Sequence, residues 1–403
     1  MIDWSKKALR IAGRRLPVVS LHLAWNFIPA SFSLLASALV VRLQGPGLWG
    51  DFVFAGLVVF FLNLTLQLGI KDQLLREFSS KPSAMLTIWV QQVQLRFYLF
   101  PILLFVPFFL LPAQQAASAG VWLILAFLNR CFEVFFLFQK RFRQLVFSEV
   151  LFSSFFWVLL FLVQGNINLN TLLLCQVLGT LAKSVFLFFH VKSFLSPIKW
   201  KWSKFTLPVS GFGFYLLALV GFLEAKTDLL CLKALSNSVD LGRYSLVFSL
   251  LLTLKLLPDF FMGPFVKNFY RSEDAVFRKL RFQLALVGML VCVPGLLAIR
   301  WFSSSLYNIH FSWTFFLVAF FYVFPRYLFA MDSYSLFQLR LERYLIWATA
   351  FAMGLNAAIN VILIPRFGAD STIAGAAIGQ FFLAGFFAFL RFKGVIGFSA
   401  TKA

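Results

Sequence analysis

The sequence predicts an all-α membrane protein of about twelve transmembrane helices, arranged as two six-helix bundles related by a pseudo-two-fold axis along the membrane normal. Three observations predict it. Hydrophobic residues fill 61% of 403 positions and charged residues only 13%, with a mean hydropathy of +0.86, far from the balance of a soluble domain. Lys and Arg crowd every second connection between apolar runs. Short patterns from the first half of the chain recur in order in the second.

Runs of about 20 apolar residues, the length that crosses a bilayer, can be placed in order. The N-terminal stretch carries Lys6, Lys7, Arg10, Arg14 and Arg15, and 16–41 is then apolar. The next run, 50–70, is followed by Lys71, Arg76 and Lys81, and the pair 88–111 and 118–138 by Lys140, Arg141 and Arg143. Runs 145–163 and 169–190 lead to Lys192, Lys199, Lys201 and Lys204; 207–234 and 240–262 lead to Lys267, Arg271, Arg278, Lys279 and Arg281. Runs 282–302 and 312–336 precede Arg340 and Arg343, and 344–364 and 372–390 precede Arg391, Lys393 and Lys402. The odd-numbered connections are nearly bare: Pro112 to Gly120 and Gln164 to Asn170 contain no Lys or Arg.

By the positive-inside rule, both termini are expected in the cytoplasm. The formal charge of +21 is then mostly a topology signal with some attraction to anionic membrane lipids, and no nucleic-acid partner is expected. The first apolar run is too long for a cleavable signal peptide.

The repeat rests on four matches. Leu16-Pro17-Val18 corresponds to Leu207-Pro208-Val209, and Gly50-Asp51-Phe52 to Gly242-Arg243-Tyr244. Arg76-Glu77-Phe78 falls where Lys267-Asn268-Phe269 falls, and Leu95-Arg96-Phe97 is echoed by Leu280-Arg281-Phe282. Six spans per half give both halves the same orientation, the parallel-repeat arrangement of some transporters. The expected division is an N-terminal bundle over 1–190, a basic and aromatic cytoplasmic linker over 191–206 containing Lys199-Trp200-Lys201-Trp202, and a C-terminal bundle over 207–403.

Several chemistries have nothing to stand on. Cys131, Cys175, Cys231 and Cys292 lie singly in apolar runs, and His22, His190 and His310 lie far apart, so neither a metal set nor a redox pair is expected. No phosphate-binding Gly-x-x-x-x-Gly-Lys-Ser/Thr loop exists, and Gly211-Phe-Gly213 lacks the rest of a dinucleotide fingerprint. No connection is long enough for a soluble domain, so no cofactor, catalytic residue or enzyme activity is expected.

Residues 222–264, with Thr227-Asp228-Leu229-Leu230 followed by Leu241-Gly242-Arg243-Tyr244-Ser245 and a Leu-rich span ending Leu257-Pro258, resemble the polysaccharide-exporting lipid flippases. These form the polysaccharide biosynthesis or O-antigen flippase branch of the multidrug/oligosaccharidyl-lipid/polysaccharide exporter superfamily. Asn360-Val-Ile-Leu-Ile-Pro365-Arg366-Phe367-Gly368 leading to Gly375-Ala-Ala-Ile-Gly379 is similar to that family's eleventh connection, as are Gly45-Pro46-Gly47, Leu68-Gly69-Ile70 and Arg76-Glu77 around the second span. Ala369-Asp370-Ser371-Thr372 departs from the family's shorter turn. The resemblance implies a multi-pass protein of a bacterial inner membrane. It implies movement of an undecaprenyl-diphosphate-linked oligosaccharide, such as an O-antigen repeat unit, from the cytoplasmic to the periplasmic leaflet by alternating access, coupled to an ion. Membrane lipids, a polysaccharide polymerase and a chain-length regulator are its implied partners.

A charge at the bilayer centre costs at least ~2.5–3.5 kcal/mol, so charges inside the spans need a reason. They are Arg130 and Glu133 in the fourth span, Lys183 in the sixth, Glu224, Lys226 and Asp228 in the seventh, Lys255 and Asp259 in the eighth, and Arg326 and Asp332 in the tenth. The second, fifth, eleventh and twelfth spans are read as carrying none. Arg130 with Glu133, and Lys255 with Asp259, can pair along one helix face. Lys183 and Arg326 have no local partner and are the leading candidates for an anionic diphosphate, with Arg130 and Lys255 in support.

Glu224 and Asp228 share a helix face, which disfavours ionising both, so a shared proton or bound cation would make them an ion-coupling site; the alternative is a wet helix end. Competing readings are a drug or cation antiporter of the same superfamily, which would want an acid-rich interior, a multi-pass polysaccharide-assembly enzyme, and a scaffold subunit.

Overall fold

A computed structural model describes residues 2–80, 82–195, 209–262 and 274–396. Most of the expected linker, Leu207-Pro208 and Lys267-Asn268-Phe269 lie outside these residues. The described chain is helical: α1 (Ile2–Gln44), α2 (Pro46–Gln67), α3 (Ile70–Ser80), α4 (Met85–Phe97), α5 (Phe100–Leu110), α6 (Ala113–Phe138), α7 (Phe142–Leu162), α8 (Leu169–Leu195), α9 (Val209–Leu235), α10 (Ser238–Met262), α11 (Asp274–Tyr307), α12 (Trp313–Gln338), α13 (Glu342–Phe367) and α14 (Thr372–Phe392).

Among the described residues, ten helices are long and apolar enough to cross a membrane, or eleven when α4 and α5, bent by 44° at their junction, are counted together as one span. At 27 residues, or about 40 Å at 1.5 Å per residue, α9 has the length of a twelfth but carries Glu224, Lys226 and Asp228. The molecule is an all-α multi-pass membrane protein.

Two local departures from the sequence reading have clear causes. The run 88–111 is two helices, because Pro101 at the start of α5 lacks the N–H that would continue α4. The connection after α2 contains the amphipathic helix α3, whose Ile70, Leu74 and Phe78 are each fully buried on one face. Arg96 ties both places together. Fully buried, it donates to the Gln67 carbonyl at the end of α2 at 2.7 Å and to the Gln92 carbonyl and side chain at 2.7 and 2.8 Å. Its charge is thus spread over neutral acceptors, one of them a helix C-terminus whose partial negative charge suits it.

The chain forms two compact units, Met1–Ala36 with Ala55–Ala218, and Ser37–Phe54 with Leu219–Ala403. Within the first, α6 and α7 both pack on α8; within the second, α12 and α13 both pack on α14. The helices α6 and α12 are each 26 residues long and share the order of buried and exposed positions almost residue for residue. Both end in a left-handed residue, Lys140 (φ 57°) and Arg340 (φ 56°). The closing bonds also match: Arg141 N–H to the Phe136 carbonyl at 2.8 Å, and Leu341 N–H to the Leu336 carbonyl at 2.9 Å. This is the Schellman closure, here formed without glycine.

Residues 37–54 come from the first half of the sequence but pack with the second unit. Glycine makes that packing feasible. A Cβ on Gly50 would lie 1.9 Å from the Ser238 carbonyl oxygen, and one on Gly242 would lie 1.8 Å from the Pro46 carbonyl oxygen. Helices α2 and α10 therefore cross backbone to backbone, and each glycine faces the carbonyl four residues before the other. These two residues are partners in the sequence repeat, and they meet reciprocally. Gly242→Val should force the crossing apart at a cost of ~1–3 kcal/mol. The expected result is a fall of roughly 2–6 °C in the melting temperature of the detergent-solubilised protein. Gly354→Val, with open space around its Cβ position, should melt like the wild type.

Candidate functional site

In the first unit, α6, α7 and α8 bring four charges into one cluster. Lys183 Nζ on α8 lies 2.8 Å from Glu133 Oε1 on α6 and 2.5 Å from Glu149 Oε1 on α7. Arg130 Nη1 donates to Glu133 Oε2 at 2.9 Å, and Trp25 Nε1 donates to Glu149 Oε1 at 3.2 Å. The expected Arg130–Glu133 pair is present. Lys183, expected to stand alone, bridges two carboxylates. Glu149 corrects the reading that the fifth span is uncharged: it lies eight residues into the 21-residue α7 and is buried at 8% exposure. A single Glu in that apolar run was the available signal. Arg130 differs from its neighbours, with 42% of its side chain exposed against 3% for Glu133.

In the second unit, three ion-paired groups involve the charges singled out from the spans. Lys255 Nζ lies 3.0 Å from Glu224 Oε1 and 4.6 Å from the Tyr322 ring centroid, and Gln380 Nε2 donates to the same Glu224 oxygen at 2.5 Å. Arg326 grips Asp259 with both arms of its fork, at 2.7–3.0 Å. Asp332, fully buried, is held by Arg281 at 2.6 Å and by Arg391. Lys255 and Asp259 were expected to neutralise each other along α10. Each instead pairs with an acid or base from another helix. Arg281, expected in the eighth connection, is a residue of α11.

Glu224 and Asp228 do not depend on each other for partners. Asp228 is 1% exposed, which removes the wet helix end as its environment. Tyr244 Oη donates to Asp228 Oδ2 at 2.7 Å, and Asn356 and Asn360 Nδ2 donate to Oδ1 at 2.6 and 3.4 Å. Asn360 Nδ2 also donates to Asn356 Oδ1 at 2.7 Å.

Asn356, Asn360 and Gln380 were not singled out as site residues in the sequence. The signal was there: three amides within the last two apolar spans, the first two four residues apart on one face of α13. Gly375 admits them, since a Cβ there would lie 2.5 Å from Asn356 Oδ1 and 3.0 Å from Asn360 Oδ1. Of the amides that bond these carboxylates, Asn360 Oδ1 and Gln380 Oε1 are buried without a hydrogen-bond partner among the described residues. Buried oxygens seldom stay unsatisfied. No three His, Cys, Asp or Glu side chains converge as a metal-binding set among the described residues.

Every acid of these clusters is thus held by a cation or by neutral donors. Lys226, partly exposed, makes no hydrogen bond or ion pair among the described residues.

No protein-family model matches the sequence, and no curated protein matches it significantly. Solved structures with a similar fold are membrane transporters, some of them described as members of the MOP superfamily. An inward-facing multidrug resistance MATE family transporter is 14% identical, with a TM-score of 0.63 over 95% of this chain and 100% of its own. The MATE multidrug transporter DinF-BH is 13% identical, with a TM-score of 0.60 over 96% of each chain. The lipid II flippase MurJ, in an inward closed conformation, is 12% identical, with a TM-score of 0.57 over 92% of this chain and 87% of its own.

Proposed function

We propose that this protein is a lipid-linked oligosaccharide flippase that moves a polyprenyl-diphosphate-linked sugar unit across the membrane by alternating access, coupled to a proton or sodium ion. One observation carries the choice of an anionic substrate over a cationic drug: the intramembrane acids are already engaged, and the charges left available are positive. A lumen built for organic cations would keep carboxylates free. Arg130, which gives one N–H group to Glu133, keeps 42% of its side chain exposed in the first unit, and Lys226 in the second has no acceptor among the described residues. Lys183, Arg326 and Lys255 serve chiefly to hold Glu133, Glu149, Asp259 and Glu224 in place, which brings them to the substrate as supports rather than as leading contacts. Asp228, with the unpartnered Asn360 oxygen near it, is the proposed coupling site, and Glu224 is its neighbour.

The test measures surface polysaccharide and organic-cation efflux side by side in cells that depend on this chain. Charge-assisted hydrogen bonds contribute about 1.5–3 kcal/mol, so Lys226→Gln and Arg130→Gln are each expected to lower export roughly tenfold or more while membrane insertion is kept. Full export by the double variant would remove these residues from the substrate path. Cation efflux that depends on Asp228, with polysaccharide unaffected, would establish the antiporter reading instead.

A further inference from the structure

A cavity of about 520 Å³ lies in the second unit where the tip of the α1–α2 hairpin meets α10 and the end of α11. Its size is ordinary for a small-ligand site. Arg42 and Pro46 line it from the hairpin, Arg243 from α10, and Ser305, Asn308 and His310 from the end of α11 and the turn after it.

The charges in it are unbalanced. Arg42 donates through Nε to the Leu306 carbonyl at 2.8 Å and through Nη2 to the Ser305 carbonyl at 3.2 Å. These acceptors are the carbonyls at a helix C-terminus, so Arg42 is anchored there with N–H groups to spare and no carboxylate bound. Arg243 forms no hydrogen bond and no ion pair among the described residues; its guanidinium lies 6.0 Å from the Phe311 ring centroid, and Asp370 acts on it only at longer range. No carboxylate lines the cavity. Ser305, Asn308 and His310 are exposed, so water and ions can reach it, and their side chains make no hydrogen bond among the described residues.

We propose that this cavity is an anion site for a phosphate group, held between Arg42 and Arg243 and bonded further by Ser305 and Asn308. Two guanidinium groups facing one space repel each other unless an anion sits between them, and their planar forks match phosphate oxygens. The walls come from two stretches, residues 41–46 and the α10–α11 side, so the site is complete only while the hairpin tip is packed in place. A ligand that binds only the assembled arrangement stabilises it by its differential affinity. A phosphate here would therefore favour the packed tip. By the charge pattern of the connections this end is extracytoplasmic, so the phosphate could come from a lipid headgroup of the outer leaflet or from a free anion. The site does not depend on the flippase reading, because binding is measured without transport.

The experiment uses the full-length protein carrying Cys231→Ser and Ser305→Cys, in nanodiscs of phosphatidylcholine alone or with phosphatidylglycerol. The rate of labelling by a water-soluble maleimide is followed while inorganic diphosphate is titrated at constant ionic strength. Saturable protection of at least fivefold by diphosphate in both lipids assigns the site to a free anion. Protection by phosphatidylglycerol without added diphosphate assigns it to a headgroup. Either protection should weaken about tenfold in Arg243→Gln, recover in Arg243→Lys, and persist in Arg366→Gln, an exposed arginine of α13 outside the cavity. No protection in either lipid overturns the proposal, as does protection that survives Arg243→Gln with Arg42→Gln. The footprint on the unaltered arginines stands even where those variants fail to fold.

Discussion

Asp332→Ala is expected to be among the most destabilising single changes in this protein. Asp332 is fully buried on α12, and its two oxygens hold Arg281 of α11 and Arg391 of α14, so three helices of the second unit meet at one carboxylate. Removing it leaves two guanidinium groups facing each other with no counter-charge. Losing one partner of a buried ion pair costs ~3–5 kcal/mol. The arginine side chains here are 21% and 29% exposed, so water recovers part of that and the lower end applies. The melting temperature of the purified protein should drop by roughly 5–10 °C, with a lower yield of monodisperse material. Asp332→Asn should fall between, because its amide can still accept one bond. Adding Arg391→Met to Asp332→Ala should restore part of the loss, since the double change removes one of the stranded charges. A wild-type melting temperature for Asp332→Ala would show that the triad contributes nothing to stability.

The second large effect is expected at Asp228, in transport rather than in folding. Asn at this position keeps the shape and can still accept from Tyr244, but it cannot bind a proton and holds a cation weakly. On the proposed flippase reading, Asp228→Asn should lower polysaccharide export roughly tenfold, the scale of losing a charge-assisted bond, and should flatten any dependence of that export on sodium or on pH. Asp228→Ala should also reduce the amount of folded protein, because Tyr244 Oη and Asn356 Nδ2 lose their acceptor in a buried setting. Glu224→Gln completes a double-mutant cycle. The two carboxylates hold separate donors, so additive losses would mean that they act as independent groups. A coupling of about 0.5–3 kcal/mol, in the range seen for interacting sites, would mean that one ion is felt by both. Export by Asp228→Asn at the wild-type level, with the wild-type ion dependence, would end the coupling reading.

The twelve apolar runs, the placement of basic residues and the internal repeat are all legible in the sequence, because each depends on short-range properties: span length, local charge, and residue pattern. The repeat extends further than the four sequence matches, since α6 and α12 share their length, burial pattern and left-handed ends with little identity between them. Backbone closure and the order of buried positions survive where side-chain identity does not.

Which intramembrane charges exist is also nearly readable from the chain, with Glu149 and the fully buried Arg96 of the run 88–111 the two passed over. Which of them remain available is not. Sequence spacing suggested that Lys255 would pair with Asp259 and that Lys183 and Arg326 would stand free. Packing of α8 on α6 and α7 gives Lys183 two carboxylates, and Arg326 and Glu224 on other helices divide the α10 pair between them. Spacing along one helix allows a partner but does not choose it. In a medium without water every charge takes the best partner within reach, and only the packing of helices far apart in sequence decides who is within reach. The reciprocal meeting of Gly50 with Gly242 is decided in the same way: the sequence shows two glycines in matching places, and the crossing of α2 with α10 turns them into a contact.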